Sequence, residues 1–136
     1  MFPDPCTLTA HRAPALLVDA VLACTASGGQ VRLRAAEWDT LMLIEGCAQA
    51  IAVLHGARGS VTGASASHGY LVAASEVVCL GPAGAYESVL VTVSHGKRFG
   101  RQQQHQVIAQ VKKDSVITLM HGTLTTMEGE PHAAAQ

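Results

Sequence analysis

Residues 40–55 (TLMLIEGCAQAIAVLH) constrain the fold of this chain more than any other stretch. The stretch is too long and too continuously apolar for a strand. Asp39 or Thr40 is placed to cap its start, and Gly56 is placed to end it, so the sequence predicts a helix. Its apolar residues occupy every side, and a helix that is apolar all round must be covered all round. The rest of the chain has to supply that cover.

Strand-like stretches precede and follow the predicted helix. The two before it are joined by a Ser-Gly-Gly turn and predict a hairpin, and the four after it are separated by turn residues. Residues 58–69 are rich in Gly, Ser and Ala and are expected to form a flexible connection after the helix. The six predicted strands are residues 16–24, 30–36, 70–80, 86–95, 103–111 and 116–127.

The order of these elements is that of the hotdog fold, an α+β architecture. In it a curved antiparallel sheet of about five to six strands wraps one long central helix. Short turns favour meander-like connections between neighbouring strands. With 136 residues, 49% of them hydrophobic, the chain can bury a core without disulfides or metals. We expect one domain over residues 1–127 and a frayed tail over residues 128–136.

Bulk composition excludes several classes of partner. A formal net charge of −1 and a charged fraction of 14% argue against a nucleic-acid binder. The four cysteines form no CxxC pair, which indicates reduced thiols in a cytoplasmic protein. The first residues do not resemble a signal peptide, and no apolar run is long enough to predict a membrane span. The histidines lack paired spacing, so we expect neither a metal nor another cofactor.

Glu45 is the strongest candidate for chemistry. A carboxylate in a helix without an exposed face finds a polar partner or has a raised pKa, and a carboxylate with a raised pKa is a usable general base near neutral pH. The alternative is that Glu45 emerges at a gap in the sheet and is solvated or salt-bridged. Gln49 lies one turn later on the same face and can bind Glu45 or a ligand. Gly46 costs about 1 kcal/mol relative to alanine in a helix interior. Its missing side chain indicates close approach of an acyl chain or tight packing against a strand.

Two histidines and one aspartate are weaker candidates. His55 lies about three turns beyond Glu45 and off its face, so it contacts substrate only if a partner subunit brings it near. His68, in the predicted flexible connection, is free in sequence terms to swing toward the site. Either can also be an ordinary capping or surface residue. Asp39 is a second acidic candidate, although capping explains it more simply.

A basic cluster surrounds one predicted turn. His95, Lys97, Arg98 and Arg101 could receive the acidic surface of a carrier protein or the phosphates of coenzyme A, and Arg98 and Arg101 are our candidates for carrier docking. The alternative is that these residues are the solvated end of a hairpin with no binding role. The neighbouring polar stretch, residues 102–106 (QQQHQ), predicts an exposed edge or a surface that faces a partner subunit.

Two motifs give the sequence a family resemblance. Residues 10–21 (AHRAPALLVDAV), followed by residues 44–52 (IEGCAQAIA), resemble the paired signatures of bacterial β-hydroxyacyl-acyl-carrier-protein dehydratases. Within that group the chain is most similar to the predicted dehydratases of the aryl-polyene type. The resemblance implies that Glu45 is the helix carboxylate and that Gln49 is the glutamine that follows it. It gives His11 and Arg12 a structural or interfacial role.

The chain departs from that family at one position. The family's catalytic histidine precedes the helix in a Gly-His-Phe-Pro-Gly stretch, and residues 35–42 (AAEWDTLM) here contain no histidine. Dehydration removes a proton from the carbon beside a thioester carbonyl and protonates a departing hydroxyl. One carboxylate alone is poorly suited to act as the base and the acid of these two steps.

Three functions therefore remain open. The chain is a dehydratase-like enzyme acting on 3-hydroxyacyl thioesters in fatty-acid or polyene-type lipid synthesis, an acyl-thioesterase in which Glu45 directs water, or a non-catalytic acyl-binding partner subunit. The resemblance implies an acyl carrier protein or coenzyme A thioester as ligand. It also implies a homodimer or higher oligomer, or a complex with a related dehydratase, with Glu45 lining a tunnel between subunits.

Overall fold

The computed structural model describes residues 2–5, 16–62 and 69–128, with the side chains of residues 60–62, 69 and 70 left out. One helix and eight strands lie in that part of the chain. They are β1 Val18–Thr25, β2 Gly28–Leu33, β3 Ala36–Trp38, α1 Thr40–Thr62, β4 Gly69–Cys79, β5 Gly84–Tyr86, β6 Val89–Phe99, β7 Gln102–Lys112 and β8 Val116–Glu128.

Six of the strands form one antiparallel sheet in the order β1-β2-β6-β7-β8-β4. The short strands β3 and β5 pair with each other outside it. Helix α1 packs on the sheet and contacts β1, β2, β4, β6, β7 and β8. This arrangement confirms the predicted α+β hotdog architecture of one helix wrapped by a curved sheet.

The strand order differs from a simple meander. Strands β6, β7 and β8 follow one another as predicted, but β2 pairs with β6 and β4 pairs with β8 at the far edge. The helix separates β2 from β4 in the chain, and its length carries the chain across the sheet. Placing β4 at the opposite edge leaves α1 over the middle of the sheet, where the most apolar surface can cover it.

The core lies between α1 and the inward face of the sheet. Alternate residues point inward, so Val89, Val91 and Val93 of β6 are buried while Ser94 is exposed. From the helix, Cys47, Ala50 and Val53 are fully buried against that face. The largest buried side chain among the described residues is Trp38, the last residue of β3, two positions before α1 begins.

The helix begins where the sequence predicts and ends later. The Asp39 carboxylate accepts a hydrogen bond from the Met42 backbone N–H at 2.8 Å, which confirms Asp39 as the helix cap. The predicted end at Gly56 is wrong, since α1 continues to Thr62 and takes up the first part of the predicted flexible connection. Ala57 is fully buried, and that packing outweighs a glycine cost of about 1 kcal/mol.

The expectation that α1 is covered all round is wrong for one stripe. Leu41 is 78% exposed, Glu45 is exposed, and Ala48 and Ala52 on the same stripe are only half-buried. The sheet covers one side of the helix and leaves this side open. By length and composition, residues 40–59 could cross a membrane. However, 56% of their most apolar part is buried within the fold, as in the core helix of a globular protein.

Several predicted strand limits also change. The predicted strand 30–36 splits, because β2 ends at Leu33 and β3 then pairs with β5. The predicted strand 86–95 starts at Val89 and runs on to Phe99, which shortens the turn around Gly100. Residues 102–106 lie in β7 between β6 and β8, so the prediction of a sheet edge is wrong.

The expected frayed tail, residues 128–136, meets the described part of the chain only at Glu128. Glu128 ends β8, and its N–H donates to the carbonyl of Arg101 at 2.8 Å. The remaining tail, residues 129–136, lies outside the described residues, as do His11, Arg12 and His68.

Gly28 is expected to be essential to the β1–β2 hairpin. Its φ is +149°, and a Cβ built there would lie 1.9 Å from the Val93 carbonyl oxygen of the paired strand. Replacing it forces the strands apart, so Gly28→Ala should lower the free energy of unfolding by about 3 kcal/mol, measured by urea denaturation.

Gly100→Ala is the matched control. Gly100 also has positive φ, at 60°, but nothing lies within 4 Å of the added Cβ. The cost there should stay near the left-handed backbone penalty, about 1 kcal/mol. Equal losses in the two variants would show that strand contact is not the cause.

Candidate functional site

Glu45 lies in the second turn of α1, on the stripe of the helix that the sheet leaves open. Its side chain is exposed in the single chain. Leu41, one turn earlier on the same stripe, is the most exposed large apolar side chain among the described residues. The carboxylate is therefore reachable from outside the fold and is flanked by apolar surface.

Gln49 fixes the position of the Glu45 carboxylate. Its side chain is only 1% exposed. The Leu17 backbone N–H donates to Gln49 Oε1 at 2.7 Å, and Gln49 Nε2 donates to Glu45 Oε2 at 2.9 Å. A backbone N–H can only donate, so the first bond sets the orientation of the amide and directs its NH2 group at the carboxylate. Gln49 thus links the entry to β1 with Glu45, and its amide is committed to holding that carboxylate.

Gly46 faces the interior, away from the open stripe. A Cβ there would lie 2.7 Å from Leu33 Cδ1 and 3.4 Å from Trp38 Cζ3. These contacts match the tight-packing explanation of this glycine. The indole of Trp38 therefore lies against the backbone directly after Glu45.

Trp38 carries an unused hydrogen-bond donor. The side chain is 1% exposed, and its Nε1–H is buried without a hydrogen-bond partner among the described residues. An unpaired buried donor costs about 1–3 kcal/mol. Sequence reasoning considered this segment only for its missing histidine and overlooked the indole.

An uncovered apolar surface adjoins Glu45. Thr40 Oγ1 lies 3.4 Å from Cys79 Sγ, so the start of α1 touches the end of the edge strand β4. We call the exposed apolar residues of this region the β4 surface: Leu41, Leu71, Val72, Val78 and Leu80. Both Leu71 and its neighbour Val72 are exposed, at 41% and 46%, so apolar side chains on both faces of this strand reach solvent.

A pair of histidines that was not predicted from the sequence lies on the inward face of the sheet. His95 and His105 are cross-strand partners on β6 and β7. Their Nδ1 atoms are 2.8 Å apart, and His105 Nε2 lies 2.9 Å from Thr126 Oγ1. His105 continues the inward row of Val107 and Ala109 and is only 3% exposed. The register that pairs the two rings could not be known from the sequence.

Both imidazoles are kept neutral by their surroundings. Burial lowers the pKa of His105 to about 4, with smaller effects from the charges of His95, Arg98 and His55. Burial also lowers the pKa of His95, and Arg58, His55 and Arg98 act in the same direction. The Nδ1–Nδ1 hydrogen bond requires one ring to donate and the other to accept, and it cannot exist when both are protonated.

The other predicted site residues divide between two places. His55 is exposed, lies about 15 Å along the helix axis from Glu45, and belongs electrostatically with the histidine pair. Arg98 and Arg101 lie at the β6–β7 turn. Arg98 donates to Glu128 at 3.3 Å and to Gln103 at 3.2 Å.

The described residues offer no metal centre or activated thiol. Among them, no group of three or more histidine, cysteine or acidic residues is arranged to hold a metal ion. Cys24, Cys47 and Cys79 are free thiols. Burial raises the pKa of Cys47 to about 12, which keeps this neighbour of Glu45 protonated and poorly nucleophilic.

No family model and no curated protein matches the sequence. Solved structures do match the fold. A dehydratase heterocomplex, ApeI:P, from Xenorhabdus doucetiae aligns with a TM-score of 0.79 at 17% identity, over 96% of this chain and 93% of that one. A conserved protein from Pseudomonas aeruginosa aligns with a TM-score of 0.67 at 10% identity, over 93% and 100%.

A proposed thioesterase, yhdA, from Lactococcus lactis aligns with a TM-score of 0.61 at 9% identity, over 87% of this chain and 97% of that one. At such identities the similarity establishes the hotdog fold and leaves the reaction open. Proteins with this architecture thus include a dehydratase complex and a thioesterase-like protein.

The histidine pair should make the fold sensitive to acid. The folded pKa of His105, about 4, lies below the ordinary value of 6.5, so the folded state binds fewer protons than the unfolded state. This contribution to stability is complete above pH 6.5 and is lost as the pH falls toward 4. Urea denaturation at pH 8 and pH 5 should show a loss from this pair of about 1–2 kcal/mol.

His105→Gln removes the titrating ring and provides the comparison. Its free energy of unfolding should be lower at pH 8 but should change less between the two pH values. A variant that loses as much as the parent protein on acidification would show that other groups cause the effect.

Proposed function

We propose that this chain is a dehydratase-like protein that binds or acts on 3-hydroxyacyl thioesters, in fatty-acid or polyene-type lipid synthesis in the cytoplasm. The observation that carries this proposal is the Glu45 carboxylate, which Gln49 holds at 2.9 Å on the open side of the central helix. A fixed carboxylate beside an uncovered apolar surface suits an acyl chain that ends in a reactive thioester.

Glu45 is the general base of the proposed reaction. Its carboxylate takes the proton from the carbon beside the thioester carbonyl, the electron pair forms the new double bond, and the β-hydroxyl leaves as water after protonation. A second acid group is needed to protonate the leaving hydroxyl.

A partner subunit is the proposed source of that group. Leu41, on the stripe that carries Glu45, is 78% exposed, and its neighbour Thr40 contacts Cys79 at the end of the edge strand β4. Large apolar residues exposed together usually mark an interface. The partner is a second copy of this chain or a related dehydratase, and the latter assembly would parallel the dehydratase heterocomplex that shares this fold. The tunnel would then run between the subunits.

Thioester hydrolysis is the second candidate. His55, His95 and His105 group together toward the other end of α1, about 15 Å along the helix from Glu45. Hydrolysis needs only a carboxylate to direct water and N–H groups to hold the oxyanion, so it does not require these imidazoles. A chain that retains binding without either activity would be the non-catalytic partner subunit.

Arg98 and Arg101 are the proposed contact for an acyl carrier protein. They flank the tip of the β6–β7 hairpin, and the Arg98 side chain is 48% exposed. Carrier proteins with acidic surfaces would be attracted to this tip, and that attraction would weaken with salt.

The Glu45→Gln variant tests the proposed chemistry. Glutamine keeps the size of the side chain and removes the base, so product formation should fall at least about 100-fold. The assay supplies 3-hydroxyacyl and plain acyl thioesters and follows enoyl product and free thiol separately. Enoyl product supports dehydration, and thiol release from plain thioesters supports hydrolysis.

Glu87→Gln is the control, because Glu87 is exposed in the loop between β5 and β6. It should leave the rate unchanged. If Glu45→Gln retains the full rate of either reaction, Glu45 is not the base. If neither product forms but acyl thioesters still bind, the partner-subunit function stands.

The β4 surface should mediate assembly. Val72→Lys places a charge in this apolar edge strand and should convert a dimer into monomers in sedimentation velocity measurements. Leu22→Lys is the control, since Leu22 is 42% exposed but lies on β1 at the opposite edge of the sheet. Dissociation by Leu22→Lys alone would place the interface at β1.

A further inference from the structure

The end of the molecule remote from Glu45 concentrates positive charge around His95. We propose that His55, Arg58, His95 and Arg98 form a binding site for a phosphate group, and that the histidine pair takes up a proton when the phosphate binds. When the phosphate belongs to the pantetheine arm of a thioester, this inference rests on the proposed function. A free phosphate would not require it.

Hydrogen bonds to one turn bring the helix and strand parts of this site together. Arg58 Nη1 donates to the Ala26 carbonyl at 3.5 Å, and the His95 backbone N–H donates to the adjacent Ser27 carbonyl at 2.8 Å. Nearby, Cys24 Sγ contacts the Leu54 carbonyl at 3.6 Å, which holds this part of α1 against β1. The Arg58 guanidinium and the His95 backbone are therefore bound to neighbouring residues of the β1–β2 turn.

The electrostatic field at His95 is positive. Arg58 and His55 from α1 and Arg98 from β6 all lower the pKa of this imidazole, in addition to the effect of burial. On β7, His105 faces it, and on β8, Thr126 holds His105 while Glu128 is bonded to Arg98. Among the described residues, the charges that shift the pKa of His95 are thus cationic, which disfavours a protonated ring until an anion arrives.

A phosphate would reverse that balance. A dianion beside Arg58 would favour the protonated form of His95, and binding and protonation would then strengthen each other. Protonated imidazole and guanidinium are both good donors to phosphate oxygens. Affinity should therefore increase as the pH falls from 8 toward 7, a range in which a phosphate ester remains largely dianionic.

The pair offers a path for the proton taken up. His95 and His105 share one hydrogen bond between their Nδ1 atoms, and Thr126 binds the far side of His105. A proton from solvent can add to the more exposed ring, His95, while the Nδ1–Nδ1 bond persists with His105 still neutral. One proton per bound phosphate is the expected stoichiometry.

Titration calorimetry with the full chain tests both parts of the proposal. The probes are inorganic phosphate, 4′-phosphopantetheine and coenzyme A, each measured at pH 7.5, where phosphate esters are dianions, in two buffers that differ in ionisation enthalpy. The difference in heat gives the protons taken up. If 4′-phosphopantetheine and coenzyme A bind more tightly than inorganic phosphate, the pantetheine arm is the ligand. If all three bind equally, the ligand is a free phosphate. Either result supports the site.

Variants locate the binding. Arg58→Ala should weaken binding about tenfold or more, and Arg58→Lys should recover part of it. His95→Asn keeps a hydrogen-bonding side chain towards His105 and should abolish proton uptake. Arg32→Ala is the control, because Arg32 is an exposed arginine paired with Asp19 elsewhere, and it should change nothing. Circular dichroism checks that each variant is folded.

Two results would overturn the proposal: no binding of any probe at millimolar concentration, or binding that Arg58→Ala leaves intact. Binding without proton uptake would overturn its second part. Glu45→Gln separates this site from the proposed function, since that variant should lose turnover and keep phosphate binding.

Discussion

The whole structure depends on covering one apolar helix. Helix α1 carries apolar residues on every side, and in water it is stable only where other elements remove those residues from solvent. The sheet does so with the inward rows of β1, β2, β6, β7 and β8. The placement of β4 at the far edge follows from the same requirement, because the chain must pass the length of the helix before the sheet can continue.

The cover is incomplete, and its gap coincides with the candidate chemistry. The open stripe carries Glu45, while Gln49, one turn away, is buried and bonded to the Leu17 backbone. A fully wrapped helix would have had to bury the carboxylate in an apolar core, which costs several kcal/mol. The open stripe instead lets the carboxylate stay hydrated in the single chain.

The two polar groups of the molecule are built differently. Glu45 is held by a glutamine whose orientation a backbone donor sets, and it faces outward. The His95–His105 pair continues the inward rows of β6 and β7, where valines and Ala109 occupy the other buried positions. Neutral rings can occupy such a place because each nitrogen in the contact has a partner, whereas charged rings would repel each other and the nearby arginines.

The sequence by itself determined the helix, its start at Asp39 or Thr40, the number of main strands and the position of Gln49 on the same helix face as Glu45. These follow from local rules: apolar continuity, capping chemistry, and the spacing of residues one helical turn apart. It did not determine that the helix passes Gly56, because the burial of Ala57 that supports the extension is a tertiary contact. Only the tertiary structure paired β2 with β6 and β4 with β8, brought His95 onto His105, and left Leu41 and Glu45 uncovered. Register and coverage depend on residues far apart in the chain, and no local pattern encodes them.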